Sequence, residues 1–213
     1  NGVLIANWDY SPRSKQHFKE KIKIFKDKGL EQIACPGLAN WNKYYPNFEV
    51  ALENLKNFLE AAKEEGVQGF LVTVWGDDGW ECLFSFLDPL ILASMEIAEG
   101  NGEWEKKWMA MSGESREILE ARLLLGQREI SDMIKHTLFA DFWFYRLNQE
   151  TREKLKSSWE KTLEKLEGVN LPEDLEFIRR CLEVMVKMVD GEASVSDYLM
   201  LSNLYSKLWL AER

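Results

Sequence analysis

Gly69-Phe-Leu-Val-Thr-Val-Trp-Gly-Asp-Asp-Gly-Trp80 is the stretch that decides the fold class. Its first half is a continuous apolar run, rich in Val and bounded by turn residues, the pattern of a strand buried on both faces. Its second half turns abruptly into Trp75, Gly76, Asp77, Asp78, Gly79 and Trp80. Carboxylates, aromatics and glycines at the carboxyl end of a buried strand are what α/β folds use for binding, because loops there vary while strands stay fixed. Gly-Asp-Asp-Gly is also ordinary turn chemistry. Turn chemistry explains the glycines and aspartates but not the two tryptophans.

Two further runs repeat the arrangement. Val3-Leu-Ile-Ala6 leads into Asn7-Trp-Asp-Tyr10, and Gln32-Ile-Ala-Cys35 leads through Pro36-Gly37 to Asn40-Trp-Asn42 and Tyr44-Tyr45. Between them lie helical patterns. Ser11-Pro12 is a plausible start for a Lys-rich helix with Phe18, Ile22 and Phe25 on one face, ending at Gly29. Asn47 can cap a second helix carrying Phe48, Ala51, Leu52, Leu55, Phe58, Leu59 and Ala62 at helical spacing, ending at Gly66. A third begins at Asp88-Pro89 and stops at Gly100. Strand alternating with helix predicts parallel strands with crossover helices. The period of thirty-odd residues suits part of a (β/α)8 TIM barrel over residues 1–100.

Beyond residue 100 the pattern becomes all-α. Helices are expected over residues 103–111, 114–125, 129–147, 151–166, 172–189 and 194–211, punctuated by glycine, asparagine and proline. Residues 101–213 therefore read as an α-helical C-terminal domain. Met133, Phe139, Phe142, Trp143 and Tyr145 lie there as core packing rather than an aromatic binding box.

The chain of 213 residues is 46% hydrophobic, with 36 acidic against 27 basic residues and a net charge of −9. That balance argues against nucleic acid as a partner, which calls for a basic footprint. No run is long and uncharged enough to cross a membrane. Cys35, Cys82 and Cys181 are widely spaced and lack metal-ligand spacing, as expected of a reduced, cytoplasmic protein. His17 and His136 read as ordinary helix residues. Neither a cofactor motif nor a metal site is expected.

Nine tryptophans bear on ligand class. An indole face is flat, apolar and rigid. An acid or amide beside it can take up hydroxyl hydrogen bonds, so the combination suits a sugar ring. Trp8, Asp9, Tyr10, Asn40, Trp41, Asn42, Trp75, Asp77 and Trp80 make that set. Trp104, Trp108, Trp159 and Trp209 lie in helical patterns and are expected to pack.

Pro36-Gly-Leu-Ala-Asn-Trp-Asn42, the helix from Asn47 to Ala62 and Trp75-Gly-Asp-Asp-Gly79 together resemble the last third of the barrel in glycoside hydrolase family 20, the β-N-acetylhexosaminidases. The helical tail is similar to the C-terminal domain of some bacterial members. The resemblance implies that Trp75 walls the pocket around a terminal N-acetylhexosamine and that Asp77 holds its hydroxyls. It implies that Tyr10 donates to the acetamido carbonyl and that Trp41 is another wall. The family's mechanism is substrate-assisted: the acetamido oxygen attacks the anomeric carbon while a glutamic acid protonates the leaving oxygen. That acid belongs to an Asp-Glu dipeptide, and this sequence contains none. The expectation is a C-terminal barrel part, inactive alone, needing a missing N-terminal barrel half on the same or a separate chain, or self-associating as a homo-oligomer. Two other readings use the same residues. One is a different carbohydrate-active barrel in which Asp77 or Asp78 works with another carboxylate. The other is a non-enzymatic interaction module whose working part is the helical half.

Overall fold

The computed structural model describes residues 2–77, 81–139 and 146–212. Asp78, Gly79, Trp80, Phe142, Trp143 and Tyr145 lie outside the described residues. The chain is a mostly helical α/β protein. Strand β1 (Leu4–Trp8), helix α1 (Lys15–Lys26), strand β2 (Glu31–Cys35) and helix α2 (Phe48–Glu64) come first. Then follow α3 (Asp88–Glu99), α4 (Trp104–Ser112), α5 (Arg116–Leu125), α6 (Arg128–Ile134), α7 (Gln149–Lys165), α8 (Glu173–Asp190) and α9 (Val195–Ala211). β1 and β2 pair in parallel, Leu4 with Glu31 through Trp8 with Cys35.

The third apolar run does not form a regular strand, which corrects the expectation of three. It joins β2 only at two isolated parallel bridges, Ala34 with Phe70 and Gly37 with Thr73. The reason is local. Ala34 N–H donates to Gly69 O and Leu71 N–H to Ala34 O, then Thr73 N–H donates to Pro36 O and Leu38 N–H to Thr73 O. Both bridges share one register, and the rung between them needs an N–H that Pro36 lacks. Among the described residues the sheet stays open, and no barrel forms.

Nor is that run buried on both faces. α1 and α2 cover one side of the sheet only. There Phe18 and Phe58 stack 4.5 Å apart, both fully buried, with Ile22, Ala34, Ala61 and Ala62 around them. Each such aromatic contributes roughly 1.5–3 kcal/mol by burial. Asn7 faces this side too, and its amide donates to Gln32 Oε1 at 3.0 Å. The opposite side carries Leu4, Ala6 and Trp8 of β1, alternating with those inward residues, and Leu71 and Trp75 beyond β2. Trp8 is 63% exposed and Leu71 55%.

Helix ends follow their caps. α1 starts at Lys15, with Ser14 accepting from His17 N–H, rather than at Ser11-Pro12. α2 is capped by Asn47, which accepts from Val50 N–H at 3.0 Å. Gly100, at φ 84°, closes α3 in the left-handed conformation. The helix expected over residues 129–147 departs from its pattern: α6 ends at Ile134 and passes into a π-helical turn, Lys135–Phe139.

The helical half packs directly on the βα half. One core runs from Leu38, Tyr45 and Phe48 through Leu87 and Leu125 to Phe177, Met185 and Leu201. Tyr45 donates to Arg122 O, and Ser131 donates to Tyr45 O at 2.7 Å. Gly126 exists for the same contact: a Cβ there would lie 2.5 Å from the Phe48 ring. The change at residue 100 is thus a change of secondary-structure type within a continuous core.

Candidate functional site

A concavity of about 630 Å³ lies on the open side of the sheet, at the carboxyl ends of the parallel segments. Trp8, Tyr10, Trp41 and Trp75 form its walls, Cys35 and Thr73 its floor, and Asp77 lies on its rim. Tyr10 is the hub. Its ring centroid lies 5.6 Å from Trp8, 5.1 Å from Trp41 and 6.4 Å from Trp75. The Tyr10 hydroxyl accepts from Trp75 Nε1–H at 2.8 Å. Its own proton is left to donate to a ligand.

Buried amides hold the three loops in register. Asn54 on α2, fully buried, donates to Asp9 O and Ser11 O at 2.9 Å each and accepts from Gly37 N–H at 3.2 Å. It ties the loop that carries Tyr10 to the loop that carries Trp41. Asn40 donates to Trp75 O at 2.8 Å and accepts from Trp75 N–H at 3.4 Å, tying the second loop to the third. Gly37 makes the approach of the rings feasible. A Cβ at this position would lie 2.7 Å from Tyr10 Cδ1 and 3.2 Å from the Trp41 ring.

Asp9 stands behind the wall. Its Oδ1 accepts from the Ser11 N–H and hydroxyl, while Oδ2 takes Lys21 Nζ at 3.1 Å and meets His17 Nε2 at 3.2 Å. These partners fill the acceptor positions of a carboxylate. Burial alone would raise the Asp9 carboxyl, but the hydrogen bonds from Ser11, Lys21 and His17 outweigh it and lower the pKa to about 2. Lys21 also donates to Trp8 O.

The structure thus brings Trp8, Tyr10, Trp41, Trp75 and Asp77 to one concavity. Asp9 and Asn40 it places differently from a ligand contact: both brace the walls, and neither lines the concavity. Asp77 is exposed there, with no hydrogen bond from another described residue. Asn42, at φ 61°, turns the other way and accepts from Lys135 Nζ at 2.9 Å. Trp80 and Asp78 lie outside the described residues.

Sequence reasoning missed Asn54, Gly37, His17 and Lys21. Asn54 did leave a signal, as a polar residue inside the apolar stripe Ala51, Leu55, Phe58 of α2. His17 and Lys21 share one face of α1 by their spacing of four, but nothing in the pattern aims that face at Asp9.

A wider depression of about 990 Å³ lies between α7 and α8, lined by Glu160, Glu164, Glu167, Glu176, Arg179 and Glu183 with aliphatic neighbours. It offers charge without an aromatic platform. Cys35, Cys82 and Cys181 are all free and buried. Among the described residues no helix is long and apolar enough to cross a membrane. A scan against protein-family models finds no match, and a search of curated proteins finds none.

Proposed function

We propose that this chain supplies the sugar-binding walls of a β-N-acetylhexosaminidase-like glycosidase, built on the C-terminal part of a (β/α)8 barrel. The observation that carries this reading is the aromatic concavity centred on Tyr10, at the carboxyl end of parallel strands. The family 20 resemblance of Pro36–Asn42 and Trp75–Gly79 supports it independently.

In this reading a terminal N-acetylhexosamine stacks its apolar face against the Trp75 and Trp41 indoles. Asp77 accepts from ring hydroxyls on the rim. The Tyr10 hydroxyl, oriented by the Trp75 indole, donates to the acetamido carbonyl as that oxygen attacks the anomeric carbon. A donor aimed at developing charge acts most strongly in the transition state. The general acid and its aspartate partner come from barrel strands other than those seen here. The open, apolar side of the sheet is where such strands would close the barrel, since a barrel interior is filled by side-chain layers.

The test is hydrolysis of aryl N-acetyl-β-glucosaminide against the non-acetylated aryl glucoside by the full-length protein carrying this chain, with residues 1–213 alone as the inactive control. Tyr10→Phe should lower kcat by about 10–1,000-fold with little change in KM. Equal rates on the two glycosides, or unchanged kinetics for Tyr10→Phe, would contradict the assignment. A different carbohydrate-active barrel remains the second reading, favoured by the exposed Asp77 carboxylate, which no other described residue engages, and equal rates on the two glycosides would select it.

A further inference from the structure

Helix α9 carries apolar side chains on every side. Inward, Leu201 is fully buried, and Leu204, Tyr205, Leu208 and Trp209 pack on the common core. Outward, Val195, Leu199 and Leu210 are 77%, 60% and 71% exposed. A helix that is hydrophobic all round is ordinarily buried all round. Here the outward side has no cover among the described residues.

The contrast with α7 is one of charge. Six of the eight exposed positions of α7 are charged: Glu150, Glu153, Lys154, Lys161, Glu164 and Lys165. Of the nine exposed positions of α9, Lys207 alone is charged, so this face is built for a protein surface rather than for water. One lysine on the face, in a chain of net charge −9, gives an anionic lipid surface nothing to attract.

The spacing of the outward residues says which protein. Val195, Leu199, Ser202, Ser206 and Leu210 form one stripe along the helix, with Asn203 at its edge. The stripe is symmetric about its middle. Val195 and Leu210 lie equally far on either side of the midpoint between Ser202 and Asn203, and so do Leu199 and Ser206. A two-fold axis through that midpoint therefore sets Leu199 of each copy on Ser206 of the other, a large side chain on a small one. It also sets Val195 of each copy on Leu210 of the other. Self-complementarity about a point is what an isologous interface requires. Ser202 and Ser206 keep the centre small, so the helices can approach closely. Ser206 and Leu210 also stand at the mouth of a cleft of about 480 Å³, lined by Tyr44, Tyr205 and Trp209. Leu199 and Val195 of the second copy arrive over that mouth. Lys207 sits beside the stripe, and its counterpart falls on the other side of the axis, so the two ammonium groups do not meet.

We propose that α9 is the contact helix of a homodimer and packs antiparallel against α9 of a second copy, across a two-fold axis between Ser202 and Asn203. The contact uses none of the residues on the open side of the sheet and needs no ligand in the Tyr10 concavity.

The test is sedimentation equilibrium of residues 1–213, which should show a reversible dimer. Leu199→Lys, at an exposed position, should weaken the dimer by at least about tenfold, as expected of a central interface residue. Leu71→Ser, on the open side of the sheet, should leave it unchanged. Under mild oxidation Ser202→Cys should cross-link to its own counterpart, since both stand beside the axis. Val195→Cys should not, because in the antiparallel pair it lies roughly 22 Å from its counterpart along the helices. The native cysteines are all buried and do not compete. A monomer at every concentration would overturn the proposal, as would a dimer that survives Leu199→Lys or one that Leu71→Ser dissolves. Cross-linking of Val195→Cys would overturn the antiparallel arrangement. A monomer that floats with phosphatidylserine vesicles would assign the face to lipid and overturn the dimer.

Discussion

The two faces of one small sheet have opposite fates. On the side of α1 and α2, Phe18, Ile22 and Phe58 are fully buried and Asn7 and Gln32 pair their amides. On the other side Leu4, Trp8, Leu71 and Trp75 are between 45% and 63% exposed. Burial by alternation is the same rule on both sides, because side chains of a strand point to opposite faces. The difference lies in what covers them. The helix side is finished by this chain's own elements, while the other side offers an apolar, aromatic surface to something else. Exposed apolar patches of that kind mark binding sites or interfaces.

The largest expected effect lies on the covered side. Phe58→Ala removes half of the stacked pair and should cost about 3–5 kcal/mol in urea unfolding. A cost below about 1 kcal/mol would mean that this side is not the core it resembles.

The tie between the loops comes next. Asn54→Leu keeps the volume but leaves Gly37 N–H and the Asp9 and Ser11 carbonyls without their partner. A loss on the order of 3 kcal/mol is expected, and the proposed saccharide site predicts weaker sugar binding as Tyr10 and Trp41 lose register. Unchanged binding in a folded Asn54→Leu protein would show that the loops are held by the rings themselves.

Much of this arrangement was legible in the sequence. Trp8, Trp41 and Trp75 follow apolar runs, and that position alone placed them at one end of the sheet. The stripe of α2 set its buried face, and Asn47 and Gly100 marked helix ends. Other parts were not legible, for physical reasons. The run at Phe70 has strand composition, yet the missing rung comes from Pro36 on its neighbour, a pairing effect rather than a local one. Asp9 and Asn40 have the chemistry of ligand contacts, but tertiary partners occupy them. The joined core could not be read from residue 100 onward, because helical periodicity shows which face is apolar and not what it meets.

The third effect is electrostatic and smaller. Asp9 has a carboxyl lowered to about 2 in the fold, against 3.8 ordinarily. A lowered folded value means that the stabilisation is complete above about pH 4 and is lost as pH falls from there toward 2. With solvent screening, about 1 kcal/mol is expected. Wild type should lose that increment on acidification, and Asp9→Asn, already weaker at pH 7, should lose less over the same interval. Parallel pH profiles would contradict the role given to Ser11, Lys21 and His17.

The smallest effect belongs to the open side. Leu71→Ser in residues 1–213 should change stability by no more than about 0.5 kcal/mol, as at exposed positions generally. A loss of 2 kcal/mol or more would show that this side is covered in solution, and sedimentation would then reveal a self-associated chain.

The most direct measurement of the central claim follows the indole N–H resonances of residues 1–213 during titration with methyl N-acetyl-β-glucosaminide. Trp75, whose indole donates to Tyr10, and Trp41, whose ring lies 5.1 Å from Tyr10, should shift together in one saturable transition. Trp159, fully buried with its indole donating to Glu129 O at 2.8 Å, should stay fixed as an internal control. Trp41 and Trp75 unmoved at saturating sugar would contradict the assignment of this concavity as a saccharide site.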